Sequence, residues 1–150
     1  VVSSDAHRRA PKEGVQFDNL DGAKGYVPWA AYGQSKIANL LFAKELARQF
    51  AGSKRTANAL HPGVIKTNLT RSMNPLVGAV FAVASPLGLK SIPEGAATQC
   101  YLAVNPGAAG VSGEYFSHCN VARCRADAND PALAKRLWQR TEEIVAALPG

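Results

Sequence analysis

Tyr32 and Lys36 stand four residues apart in the run Tyr32-Gly33-Gln34-Ser35-Lys36. On a helix that spacing puts a phenol and an ammonium on one face. A phenol titrates at about 10 in isolation, and an adjacent positive charge favours its ionised form. A tyrosine tuned in this way can exchange a proton with an alcohol or carbonyl oxygen near neutral pH. The plainer reading is a chance pair on a solvated helix face. Two further segments carry chemistry-bearing groups. Ser3-Ser4 follows the β-branched pair Val1-Val2, so a hydroxyl stands where a strand would end. The run His61-Pro62-Gly63-Val64-Ile65-Lys66-Thr67 also follows a strand-like stretch, and its Pro and Gly can shape a bend that brings backbone close to a ligand. In open parallel sheets, ligands sit beyond the carboxyl ends of the strands.

The elements that must position these groups read as follows. Val1 to Ser4 is the end of a buried strand, and Asp5 to Ala30 is a long irregular connection punctuated by Pro and Gly, with a short strand around Val15 and Phe17. Ala31 to Gln49 is a helix with Ile37, Leu40 and Leu41 at core spacing and Gly52 as its stop signal. Thr56 to Leu60 is a strand ended by Pro62-Gly63. Strand, loop, helix, strand suits a right-handed crossover between parallel strands. Pro93 to Val104 is a second helix. Glu114 to Ser117 is a strand after the Gly107 to Gly113 turn. Asp130 to Leu148 is a third helix, with Asp130 as N-cap, Pro131 at N1, and a core face of Leu133, Leu137, Thr141, Ile144 and Leu148. The fold class is α/β with a parallel sheet.

Composition narrows the function. At 47% hydrophobic and 19% charged, the 150 residues can bury a core, which excludes wholesale disorder. Three Cys are too few for a disulfide scaffold. The net charge of +6 could suit nucleic acid, but the basic residues fall in scattered pairs (Arg8-Arg9, Lys54-Arg55, Lys135-Arg136), so no nucleic-acid partner is expected. His118, Cys119 and Cys124 lack paired ligand spacing and a fourth ligand, so no metal is expected. Free thiols and the lack of a secretory signal point to a reducing, cytoplasmic setting. Ser72 to Leu89 carries no charge, but Pro75 and Pro86 interrupt it. Its clean apolar run, Leu76 to Ala84, is too short to span a membrane.

Taken together, SSDAH, then YGQSKIANLLFAKELAR, then HPGVIKT resemble the short-chain dehydrogenase/reductase family. The finer resemblance is to its retinol-dehydrogenase-like and WW-domain-oxidoreductase-like branch. PEGAATQCYLAV, GEYFSHCNV and the LAKRLW helix extend it over nearly the whole chain. The resemblance implies a Rossmann-like doubly wound parallel sheet, of which this chain is the C-terminal part. It also implies hydride transfer between a nicotinamide cofactor, NADP or NAD with NADP favoured, and a small-molecule alcohol or carbonyl. In that scheme Tyr32 is the catalytic acid/base. Lys36 lowers its pKa and holds the nicotinamide ribose. Ser4 orients and polarises the substrate oxygen. Pro62, Gly63 and Thr67 line the nicotinamide end of the cofactor pocket with Tyr32 and Lys36. His7 and His61 match family positions and read as structural. The resemblance also implies a substrate-binding lid over Ser72 to Leu89, whose apolar residues suit a lipophilic substrate or, in the plainer reading, cover core or an interface. A homo-oligomer follows from the resemblance alone.

The sequence also departs from the family. The TGxxxGxG loop that cradles the pyrophosphate does not occur, and Gly107-Ala-Ala-Gly110 follows a helix and has the wrong spacing. The chain opens inside the strand that ends at Ser4. Residues 1–150 are therefore expected to be the catalytic and substrate half of the domain, inactive alone and weak in dinucleotide binding. The competing expectations are a non-catalytic binding or scaffold remnant of such an enzyme, and a protochlorophyllide-reductase-like enzyme sharing the Tyr/Lys pattern.

Overall fold

The computed structural model describes residues 1–65 and 89–149. Helix α1 (Pro28–Gln49) is the organising element. It begins three residues ahead of the expected Ala31, because Pro28 occupies N1, where a missing N–H costs nothing and φ is already helical. Ile37, Leu40, Leu41 and Ala43 are buried along one face. The three larger ones are wholly buried and each contributes about 2 kcal/mol of hydrophobic stabilisation.

That face packs under a small sheet. Strand β1 (Ala59–His61) pairs in parallel with β2 (Tyr115–Ser117), in the register Ala59 to Tyr115, Leu60 to Phe116 and His61 to Ser117. On the other edge of β1, Val2 forms a parallel bridge with Leu60, held by Ser3 N–H to Leu60 O at 2.8 Å and Leu60 N–H to Val1 O at 3.0 Å. Each parallel neighbour is reached through a helix: α1 between Val2 and β1, and α2 (Ile92–Val104) between β1 and β2. This is the expected parallel α/β arrangement. The short β3 (Asn120–Val121) then folds back antiparallel on β2. His118 and Cys119 form the two-residue turn between them, with φ of 52° and 61°. Two consecutive left-handed residues suit the twist of a tight hairpin. Two of the three residues weighed as metal ligands are thus the tip of a turn.

The core joins α1 to Val15, Ala59, Tyr115, Ala128 and Ala134. Helix α3 (Pro131–Ala146) lies against α1, with Phe42 and Trp138 stacked at 5.3 Å. Its start is as expected, since the Asp130 side chain accepts from Ala132 N–H at 2.8 Å.

Three expectations change. Val1 and Val2 do not lie in a buried strand; they are 41% and 48% exposed, because Val2 is paired on one edge only among the described residues. No strand forms at Val15 and Phe17. Val15 is buried, but local turns consume the backbone donors, as in Gly14 N–H to Pro11 O and Val15 N–H to Glu13 O, both 2.9 Å. The core face of α3 ends after two turns. Leu133 and Leu137 pack on the core, while Thr141, Ile144 and Leu148 are exposed, because no described element covers the helix beyond Trp138. The expected lid, Ser72 to Leu89, lies outside the described residues except for Leu89.

Candidate active site

The second and third turns of α1 bring Tyr32 and Lys36 together as their spacing requires. The Lys36 Nζ lies over the Tyr32 ring, 5.5 Å from its centroid. Neither the phenol nor the ammonium makes a hydrogen bond or ion pair among the described residues, and Tyr32 is 43% exposed. Ser35 turns its hydroxyl back onto the Tyr32 carbonyl at 2.7 Å, which ties the turn without using the phenol.

The strand end at Ser3-Ser4 is fastened to the same turns. Ser3 is buried, and its hydroxyl donates to the Lys36 carbonyl at 2.7 Å. Asn39, one turn further on, donates to the Val2 carbonyl at 2.9 Å. Ser3 is therefore a structural pin. Ser4 is half-buried and opens a 3-10 turn, Asp5–Arg9, where its Oγ accepts from Ala6 N–H at 3.2 Å. That bond occupies a lone pair and leaves the Ser4 hydroxyl proton free to donate.

Gly33 explains how the turn comes so near the helix. A methyl group there would fall 2.5 Å from Ala10 N and 2.6 Å from the Arg9 carbonyl carbon. Such approaches are not compatible with a side chain, so only glycine fits between Tyr32 and Gln34. Gln34 completes the clamp by accepting from Gln16 N–H at 2.9 Å.

Pro62 and Gly63 leave the carboxyl end of β1, next to the strand end that carries Ser4. Gly63 has φ +95°, a left-handed conformation suited to glycine. The position of a Cβ there is taken by the Lys90 side chain, 2.6 Å away at Cδ. Thr67 lies outside the described residues. The structure thus gathers Tyr32 and Lys36 on α1, with Ser4 and Pro62-Gly63 at the carboxyl ends of neighbouring parallel strands. A cavity of about 510 Å³, bordered by Lys44, Tyr115 and Cys124, includes none of them.

Two histidines behave otherwise. His7 is wholly buried, and its Nδ1 lies 2.7 Å from the Ser4 carbonyl while its Nε2 accepts from Arg125 N–H at 3.1 Å. These partners fix a neutral ring that donates from Nδ1. Burial pushes its pKa down, partly opposed by the bond to Ser4. His61 is also pushed down by burial, and its Nδ1 is buried without a partner among the described residues.

The residue that sequence reasoning missed is Arg125. Its guanidinium donates to the carbonyls of Ala10 and Pro11, each at 2.6 Å, and of Lys12 at 3.1 Å, and pairs with Asp127 at 2.6 Å. It holds the loop behind the 3-10 turn in place. More than a hundred residues separate it from that loop, so no local spacing could signal the role. Asn39, three residues after Lys36, was within reach of helical-spacing arguments.

The family model described as Enoyl-(Acyl carrier protein) reductase matches residues 13–120. The chain is 43% identical to Short-chain dehydrogenase TIC 32 B, chloroplastic, of Brassica napus, over 99% of this chain and 47% of that one. It is 39% identical to human Retinol dehydrogenase 14, over 99% of this chain and 44% of that one. A crystal structure of a protein from Mycobacterium paratuberculosis superposes with a TM-score of 0.66 at 29% identity, covering 97% of this chain and 48% of that chain. The chain belongs to the short-chain dehydrogenase/reductase family, and its fold is part of a Rossmann-like sheet. It spans about half the length of the curated relatives it matches.

Proposed function

We propose that residues 1–150 supply the acid–base and substrate-orienting groups of an NAD(P)-dependent oxidoreductase that interconverts an alcohol and a carbonyl. The observation that carries this reading is Lys36 Nζ 5.5 Å over the Tyr32 ring, with both polar heads uncommitted among the described residues. A structural pair would have its donors used, as at Arg125.

The residues fit the nicotinamide-ribose end of the cofactor, because Lys36 presents three N–H donors with no other partner among the described residues. When bound, the nicotinamide supplies or accepts the hydride. In the reducing direction the Tyr32 phenol gives its proton to the carbonyl oxygen, and in the oxidising direction it takes the proton back. Ser4 donates its free hydroxyl proton to the same oxygen and fixes its position. Lys36 holds the ribose hydroxyls and keeps a positive charge beside the phenol. Pro62 and Gly63, together with Thr67, line the nicotinamide end. The family resemblance favours NADP. The retinol dehydrogenase names among the relatives support a lipophilic substrate. The three thiols, none of them in a disulfide, support a reducing compartment such as the cytoplasm.

The half-length match supports reading the chain as the catalytic and substrate half of the domain, weak in dinucleotide binding when isolated. Within the full-length protein, Tyr32→Phe removes only a solvent-facing hydroxyl. It is expected to keep the wild-type melting temperature and to lose about 10³-fold in kcat. Turnover near the wild-type rate in that variant would overturn the reading.

A further inference from the structure

Arg8 and Arg9 are neighbours in the 3-10 turn, yet they are committed very differently. Arg8 pairs with Asp5 at 2.9 Å and donates to the Arg123 carbonyl. The Arg9 guanidinium has no hydrogen bond or ion pair among the described residues. It lies 5.3 Å from the centroid of the Trp29 ring. Trp29 in turn meets the Tyr32 ring edge-on at 6.3 Å. Trp29, Tyr32 and Lys36 stand at i, i+3 and i+7, on one face of α1. The result is a line of four side chains: cation, indole, phenol, cation.

We infer that Arg9 is a specificity-determining residue, selecting alcohols or carbonyls whose apolar body ends in an anionic group. The inference rests on the assignment of Tyr32 as the acid/base. The Lys36 end of the line serves the cofactor in that assignment, so Arg9 is the cation left for the substrate. A guanidinium stacked on an aromatic face uses its π surface and keeps its N–H fork free for a carboxylate or phosphate. Trp29, 49% exposed and edge-on to Tyr32, offers an open indole against which the body of such a substrate can lie, and Tyr26 and Val27 just ahead of it in the chain are exposed as well, at 68% and 66%. The position of Arg9 is not left to a flexible loop. Its carbonyl carbon abuts Gly33, in the turn of α1 that carries Tyr32, so the main chain from which the cation reaches Trp29 is anchored beside the phenol's own turn.

The test uses the full-length protein and three aldehydes of equal chain length: an ω-oxo fatty acid, an ω-oxo alkyl phosphate and the neutral methyl ester of the acid. Wild type is expected to prefer at least one anionic aldehyde over the ester, in KM rather than kcat, and the preference should shrink as salt rises. The preferred anion identifies which terminus the site takes. Arg9→Gln should raise KM for that substrate about tenfold while leaving the ester unchanged. Arg9→Lys should recover part of the loss. A wild type that favours the ester or uses none of the three overturns the inference. So does an Arg9→Gln enzyme that treats all three as wild type does, or weakens all three alike. Tyr32→Phe run alongside separates the two levels. Turnover surviving in it overturns the site assignment and the inference together, whereas turnover lost in it with an indifferent Arg9→Gln overturns the inference alone.

Discussion

Two regions carry chemistry-bearing side chains, one on α1 and one where the buried side of the 3-10 turn Asp5–Arg9 meets Arg125. On the α1 side, Tyr32 is exposed and Lys36 half-buried beside it, and their polar heads have no partner among the described residues. On the other side, His7 has both ring nitrogens occupied, and Arg125 spends its guanidinium on three carbonyls and Asp127. Residue type does not tell these regions apart, since a buried histidine beside an arginine is as suggestive as a tyrosine beside a lysine. Commitment does. Groups whose hydrogen-bonding capacity is used within the fold hold it together, and groups aimed outward with capacity to spare are available to a ligand.

The widest contrast comes from pairing Tyr32→Phe with Arg125→Ala. The first should abolish most turnover without touching stability. The second leaves the carbonyls of Ala10, Pro11 and Lys12 without their donor and the Asp127 carboxylate without its cation, at a cost of about 3 kcal/mol. Urea unfolding should show that loss, while kcat measured well below the unfolding midpoint should stay within a few-fold of wild type. A large fall in kcat with unchanged unfolding in Arg125→Ala would dissolve the distinction.

Gly33→Ala probes the seam between the regions. Its new methyl group would collide with backbone at Arg9 and Ala10, atoms that cannot swing aside as a side-chain tip can. The expected cost is about 2 kcal/mol. Unlike Arg125→Ala, it should also impair turnover, because the turn that follows Ser4 must shift relative to Tyr32. Stability lost with kcat and KM unchanged would mean that the seam does not position the site.

Much of this was legible in the sequence because it is encoded locally. Helical spacing fixes Tyr32 relative to Lys36, Asp130-Pro131 starts α3, and a helix between two strands leads to parallel pairing. What was missed depends on contacts far apart in the chain. Gly33 is only a spacer in the run from Tyr32 to Lys36 when the sequence stands alone, but its reason is the backbone of Arg9 and Ala10 more than twenty residues earlier. Ser3 and Ser4 are adjacent and alike, and only the fold assigns one to a pin on Lys36 and the other to the open strand end. The periodicity of α3 ran on to Leu148, but apolar spacing marks a core face only where another element lies against it.

The smallest effect expected is a pH dependence confined to the structural side. Burial is the first cause that lowers the pKa of His7 in the folded protein, with the positive charges of Arg8 and Arg125 adding to it, and the Ser4 carbonyl and Asp5 opposing. In the unfolded chain the group returns to about 6.5. Below that value the unfolded state binds more protons than the folded one, so stability falls as pH falls. The contribution is complete above pH about 6.5 and declines below it towards the lowered folded pKa, with a slope of at most about 1.4 kcal/mol per pH unit for one group. His61 is lowered by burial too, and adds a slope of the same sign. Urea midpoints between pH 8 and pH 5 should therefore drop on the acid side. His7→Gln should be less stable than wild type at pH 8, because the bonds to Ser4 and Arg125 are disturbed, yet its midpoint should fall less steeply towards pH 5, with His61 contributing to the slope that remains. An unchanged slope in His7→Gln would mean that His7 titrates alike in the folded and unfolded states, and its two hydrogen bonds would then not hold it neutral.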